Sequence, residues 1–218
     1  MFKKLLDNTR ESSPANKFRK ERLKYFNELT SRLPRPVKIL DVGGTENFWV
    51  QMGYYGNYDY DITILNITNP AVQQKDNLKF LKGSAVDLSA FDDKSFDVVF
   101  SNSVIEHIPG SKNRSKMASE IKRVGKCYFV QTPNYYFPFE PHFLFPFFQF
   151  FPKVIKIFLL KNFSMGWFGK CSTSEEAAAL LENNKLLKLS EFKGYFNDAV
   201  IIKEKLLFMN KSFIAVKK

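Results

Sequence analysis

Val37-Lys-Ile-Leu-Asp-Val-Gly-Gly-Thr-Glu-Asn-Phe-Trp49 is the stretch on which the reading of the fold turns. A β-rich apolar run ends in two glycines and then in a helix-compatible segment, as a buried parallel strand does when it delivers the chain to a ligand-facing turn. Glycine lets the backbone pass close beneath a ligand, and Asp41 supplies a carboxylate that can fix the turn or a cationic group. Thr45 and Asn47 stand where the dinucleotide fingerprint GxGxxG would place further glycines. A nucleoside ligand without a pyrophosphate therefore suits the turn better.

Outward from this stretch, strands and helices alternate. Strands are predicted at Tyr60 to Asn66, near Leu78 to Lys82, at Phe96 to Ser101 and at Cys127 to Thr132. Met117, Ile121 and Val124 form one helical stripe before the last of these. Such alternation predicts a parallel sheet wrapped by helices, with ligands beyond the carboxyl ends of its strands. After Pro133 the pattern breaks: residues 134–170 hold 11 of the 24 Phe and four Pro, which reads as an inserted cap. A helix capped by Thr173 or Ser174 follows, with Glu175 and Glu176 in its first turn. Two tightly joined strands, Asp198 to Lys203 and Lys211 to Lys217, should close the chain as an antiparallel pair.

At 218 residues, 44% apolar and 25% charged, the chain suits one domain with a sizeable core. Its net charge of +11 is uneven: +7 over residues 1–38, −4 over 39–120 and +8 over 121–218. An acidic middle makes a poor groove for a phosphate backbone, which disfavours a nucleic-acid binder. Residues 1–33 read as a basic helical extension or lid, with Phe18, Leu23, Phe26, Leu29 and Leu33 roughly on one face until Pro34 and Pro36 end it. Two cysteines and two histidines offer no zinc-ligand spacing, so no metal is expected. With no apolar run that reads as a secretory signal, the expected setting is cytoplasmic.

The order ILDVGG at 39–44, ITILN at 62–66, GSAVDL at 83–88 and SFDVVFSNSVIEHI at 95–108 resembles the class I S-adenosylmethionine (SAM) dependent methyltransferases. QTPNYYFPFEPHFLFP at 131–146 and the terminal hairpin look like a small-molecule branch whose insertion carries Pro-Asn and Glu-Pro-His. The resemblance implies an α/β fold: a doubly wound, Rossmann-like sheet of seven strands, mostly parallel, with an antiparallel C-terminal hairpin. The domain spans 34–218, with an aromatic-rich cap at 134–188. SAM is the implied cofactor. Asp41, Gly43 and Gly44 take the loop beside its methionine moiety, and Asn66 stands where the family usually has an acid bonding the ribose. Ser84 replaces an acid near the adenine; the Ala85 backbone meets a ring nitrogen, with Asp87 as a substitute carboxylate. Asn102 and Ser103 border the methionine portion.

Acceptor chemistry is expected at Glu140-Pro141-His142. Methyl transfer is a direct displacement that depends on alignment and exclusion of water, and a hydroxyl acceptor must also lose a proton, which a histidine can take near neutral pH. Glu140 is placed to orient or merely flank that imidazole. His107, beside Glu106, either bonds its neighbouring loop or lines the site. The expected activity is methylation, preferably of oxygen, on a small molecule, a sugar or a lipid-linked glycan. Two alternatives stand beside it: a non-catalytic SAM-binding module, given Asn66 and Ser84, and an RNA methyltransferase using the basic helix. Against the latter, Ser101-Asn-Ser-Val104 replaces any Asn-Pro-Pro-Tyr-like tetrapeptide. Ten aromatics between Tyr135 and Phe151 exceed what a small cap needs for its own core. Some are expected to meet substrate or, with Lys153, Lys156, Lys161 and Lys170, an anionic inner membrane face.

Overall fold

The computed structural model describes residues 14–69 and 72–218, so the start of the predicted basic extension lies outside the described residues. In chain order the helices are α1 (Pro14–Thr30), α2 (Glu46–Gln51), α3 (Ser111–Val124), α4 (Lys153–Asn162), α5 (Ser174–Glu182) and α6 (Leu189–Tyr195). The strands are β1 (Val37–Val42), β2 (Tyr60–Asn66), β3 (Val72–Lys75), β4 (Leu78–Lys82), β5 (Phe96–Asn102), β6 (Gly125–Pro133), β7 (Phe139–Glu140), β8 (Phe145–Pro146), β9 (Val200–Leu206) and β10 (Met209–Lys217).

The main sheet runs β3-β4-β2-β1-β5-β6-β10-β9. Strands β4, β2, β1, β5 and β6 are parallel neighbours. The C-terminal pair is antiparallel, and β10 also lies antiparallel on β6. All seven anticipated strands form, and β3 adds an eighth, antiparallel to β4 at the edge. Its Val-Gln-Gln-Lys is exposed throughout, so no apolar alternation marks it in the sequence.

Central strands are covered on both faces, which is why they read as continuous apolar runs. Ile39, Leu40 and Val42 of β1 are all fully buried. One face packs against α1 and α2, where Leu23, Phe26 and Leu29 join Trp49 and Tyr54. Phe26 sets its ring edge-on to Trp49, Tyr54, Phe100 and Phe129, with centroids 5.1–6.2 Å away. The predicted apolar face of α1 is thus a layer of the core, with Phe18 and Leu33 half-buried at its ends. Against the other face pack Met117, Ile121 and Val124 of α3, with Phe192 of α6.

Residues 134–188 hold a small core of their own, formed by Phe143, Phe148, Leu160, Met165, Cys171 and Ala177. The Thr173 side chain accepts from the Glu176 amide at 3.1 Å and caps α5 as anticipated. Beyond this core, Phe147, Phe150, Val154, Phe158, Phe163 and Trp167 remain exposed. No helix among the described residues is long and apolar enough to cross a membrane.

Candidate active site

Strand β1 has β2 on one side and β5 on the other, so connections leave it toward opposite faces and open a crevice at its carboxyl end. A recess of about 370 Å³ lies there, lined by Arg19, Asp41, Gly43, Gly44, Phe48 and Asn102 among others. Its floor tolerates no side chain at either glycine. Gly43 has φ +82°, and a Cβ on it would stand 2.6 Å from Val104 Cγ2. At Gly44 a Cβ would overlap the Asp41 carboxylate, 1.6 Å from Oδ2.

Asp41 is 1% exposed. The Trp49 indole Nε1 donates to its Oδ2 at 2.7 Å, and Oδ1 has no hydrogen-bond partner among the described residues. Burial pushes its pKa up to about 7, partly offset by the Trp49 bond. A desolvated carboxylate with an unspent oxygen at a recess is a receptor for a cation or an N–H donor.

The other sequence-predicted residues divide into two groups. Asn102 lines the recess, and its Oδ1 accepts from Arg22 Nη1 of α1. Ser103, at φ +58°, turns its hydroxyl to Gln131 Oε1 at 2.8 Å. Asn66 stands at the end of β2 as predicted, but its amide points into the fold. Nδ2 donates to the Gly43 and Gly44 carbonyls at 3.3 and 3.0 Å, while Oδ1 accepts from the Thr68 amide and hydroxyl. Ser84 and Asp87 close a small turn after β4, the Asp87 amide donating to the Ser84 carbonyl at 3.1 Å, and Ala85 packs on the α3 side of the core. Neither Ser103 and Asn66 nor Ser84, Ala85 and Asp87 line the recess.

At the carboxyl ends of β5 and β6 a second group gathers. Glu140 binds three donors: the amides of His142 and Phe143, at 2.8 and 2.6 Å, and His142 Nδ1 at 2.7 Å. Burial draws the His142 pKa down, but the bond and charge of Glu140, with the charge of Glu106, outweigh it and leave it raised. The His107 ring meets His142 edge-on at 4.8 Å. Of the two expectations for Glu140, the one in which it bonds the His142 imidazole is the geometry found. His107 meets the Asn183 carbonyl at the end of α5, rather than a loop next to it in sequence, and faces the pair. Fully buried Glu106, which lies in the 95–108 stretch but carries no expected role there, and the α1 arginines, which stand in no local motif, are the additions. Beside Glu140, a cavity of about 450 Å³ is lined by Phe143, Phe148, Lys153, Lys156 and Lys185 among others.

Residues 40–127 match a family described as a methyltransferase domain. A SAM-dependent methyltransferase structure from Aquifex aeolicus aligns over 94% of this chain and 92% of its own, at 13% identity and TM-score 0.51. One from Methanosarcina mazei aligns over 87% and 95%, at 17% identity and TM-score 0.50. A proposed sarcosine dimethylglycine methyltransferase from Galdieria sulphuraria is 24% identical over 53% of this chain, with TM-score 0.41; the chain spans 45% of its length. No curated protein matches the sequence. At these identities the structural likeness speaks for the fold.

The raised pKa of Asp41 sets a pH dependence. A carboxyl whose folded pKa lies above its ordinary 3.8 contributes stability that is full below that value and lost as pH rises through about 7. Urea unfolding of wild type and Asp41→Asn should therefore show wild type losing ground to the variant between about pH 4 and about pH 8. A difference that does not change with pH would rule out a buried, protonated Asp41.

Proposed function

We propose that this chain is a class I S-adenosylmethionine-dependent methyltransferase, as the methyltransferase-domain match over residues 40–127 supports, and that it methylates a hydroxyl of a small-molecule, sugar or lipid-linked glycan acceptor held beside its aromatic cap. The observation that supports this reading is the His142–Glu140 pair: its imidazole meets His107, five residues after Asn102, which ends β5 and lines the recess. The recess fits SAM in two respects: the glycine floor has no room for a side chain, and Asp41 Oδ1 awaits a donor.

When bound, SAM supplies a methyl group on a sulfonium, open to in-line displacement. In this reading Asp41, Gly43 and Gly44 receive the methionine portion, with Asn102 and Ser103 at its border. Asn66 braces the glycine turn through the Gly43 and Gly44 carbonyls and would hold the ribose side of the cofactor. Ser84, Ala85 and Asp87 form the turn offered to the adenine. On the acceptor side, Glu140 keeps the proton on His142 Nδ1, because a carboxylate only accepts. Nε2 is then the atom that takes the hydroxyl proton. Glu140 acts as a positioning residue. Phe143 and Phe148 give the neighbouring cavity an apolar wall, and Lys153, Lys156 and Lys185 give it a cationic rim suited to an acceptor that carries an anionic group. The exposed aromatics of the cap, with exposed Lys153, Lys161 and Lys170 among them, support peripheral contact with the inner face of an anionic membrane.

Calorimetry with SAM on wild type and Gly44→Ala tests the cofactor half: wild type should bind and the variant should lose most of that affinity, since its Cβ displaces Asp41. No binding by wild type at about millimolar SAM ends the reading.

Once screening over sugars, glycans and small hydroxylated compounds supplies an acceptor, His142→Ala should leave SAM affinity within a few-fold. It should lower transfer by about 10²-fold or more, and Glu140→Gln should cost less. An unchanged rate in His142→Ala would remove the base and leave positioning alone.

Co-sedimentation with anionic vesicles should weaken as salt rises and in Phe158→Asp. Absence of sedimentation at low salt would confine the exposed aromatics to acceptor binding.

A further inference from the structure

The acceptor corner contains more than a base and its positioning carboxylate. Glu106, His107 and His142 each offer a ligand atom, and these atoms all lie within 4.8 Å of one another. Glu106 is fully buried; its Oε2 accepts from the Thr132 hydroxyl at 3.0 Å, while Oε1 has no partner among the described residues. Leaving a carboxylate oxygen unspent in the interior is costly unless a donor or a cation meets it.

The hydrogen bonds on the two imidazoles decide which nitrogen of each is free to ligate. His107 Nδ1 lies 3.2 Å from the Asn183 carbonyl, which can only accept, so the proton sits on Nδ1 and Nε2 carries the lone pair. His142 Nδ1 lies 2.7 Å from Glu140 Oε1, and the same reasoning frees its Nε2. Each candidate ligand thus has an outer partner that fixes its orientation: Thr132 for Glu106, the Asn183 carbonyl for His107, and Glu140 for His142. Glu140 is itself held by two backbone amides. A carbonyl or carboxylate behind each histidine is the arrangement that metal-ligating imidazoles use.

We propose that Glu106, His107 and His142 bind one divalent first-row transition cation, of the zinc, manganese or iron(II) class, at the acceptor end of the site. Two nitrogens and one carboxylate oxygen suit those ions better than magnesium or calcium, which favour oxygen alone. Three protein ligands leave coordination positions for solvent or for an oxygen of the acceptor. This rests on the acceptor reading above and changes one role in it: a cation there lowers the pKa of a hydroxyl it touches. With the ion bound, His142 is a ligand and the hydroxyl proton leaves to solvent, whereas His142 is the base when no ion is bound. Contiguous ligand spacing, the usual sequence sign of a metal site, is absent because the two histidines stand 35 positions apart and meet only in the fold.

The test uses the full chain, stripped with a chelator and dialysed against Zn²⁺ and, separately, Co²⁺, with bound metal quantified and the visible Co²⁺ absorption recorded. Wild type should take up about one ion per chain and show a Co²⁺ spectrum with nitrogen ligation. His107→Asn, changed at an exposed side chain, and Glu106→Gln should each bind at least about 10-fold more weakly. Glu140→Gln should weaken binding by about 10- to 100-fold and shift the spectrum. Far-UV circular dichroism establishes that each variant is folded, and His107→Asn keeps the test valid if Glu106→Gln is not. Wild type binding neither ion, or His107→Asn binding as wild type does, overturns the site. These readouts require neither SAM nor an acceptor, so their failure is distinct from failure of the methyl-transfer reading.

Discussion

The carboxyl edge of the sheet is organised around one close contact, the Asp41 carboxylate beneath the Gly44 backbone. Only a residue without Cβ fits above that carboxylate, and only with the carboxylate in place does the Trp49 indole find its acceptor. Trp49 is fully buried and packs edge-on against Phe26 and Tyr54, so the same contact fixes α2 and, through Phe26, seats α1. An acid in that position is desolvated, and the raised pKa of about 7 expresses the cost. A donor or positive charge in the recess would offset it, so binding and ionisation of Asp41 are thermodynamically linked.

A second constraint joins the two ends of the chain across this edge. Arg22 of α1 pairs with Glu204 of β9 at 2.9 Å, both nearly buried, and also donates to Asn102 at the end of β5. A buried ion pair of this kind stabilises little by itself, but separating its partners is expensive. Glu204 also accepts from the Ser212 hydroxyl at 2.5 Å, and Lys211 stands over the Phe18 ring at 3.8 Å. Helix α1 is therefore a wall of the recess anchored to the hairpin, and any lid-like motion of it must first break the Arg22–Glu204 pair.

How legible these features are in the sequence depends on whether their cause is local. The central strands are readable because burial on both faces leaves uninterrupted apolar runs, and the glycine turn because its steric demand falls on adjacent residues. Strand β3 is not, since an exposed polar edge strand lacks either signal. Asn66 is placed correctly, yet its inward bonds depend on carbonyls 22 and 23 residues away. The positive charge of the N-terminal helix suggests a solvated or phosphate-facing surface, whereas Arg22 is buried and Arg19 lines the recess. Pattern alone could show that Arg22 lies within one turn of the buried Phe26; what it pairs with is a property of the hairpin nearly two hundred residues on. The meeting of Glu106, His107 and His142 is of the same kind.

The segment of residues 134–188 joins an inner and an outer surface through one small core. Its inner aromatics, Phe143 and Phe148, form the core that holds the Phe143 amide against Glu140, and this in turn orients His142. On its outer side, half-exposed Trp167 donates its indole N–H to the Pro141 carbonyl at 3.2 Å and its amide to the His142 carbonyl at 3.3 Å. Gly166 makes that approach possible: it adopts φ +58°, and a Cβ there would lie 2.3 Å from the His142 carbonyl oxygen. The two carbonyls flank His142, so the position of this exposed indole and that of the His142 backbone are tied by two hydrogen bonds. Through Trp167 the exposed apolar side of residues 134–188 and the His142 imidazole share one backbone segment, and a change in the seating of that indole acts first on the peptides that carry the imidazole.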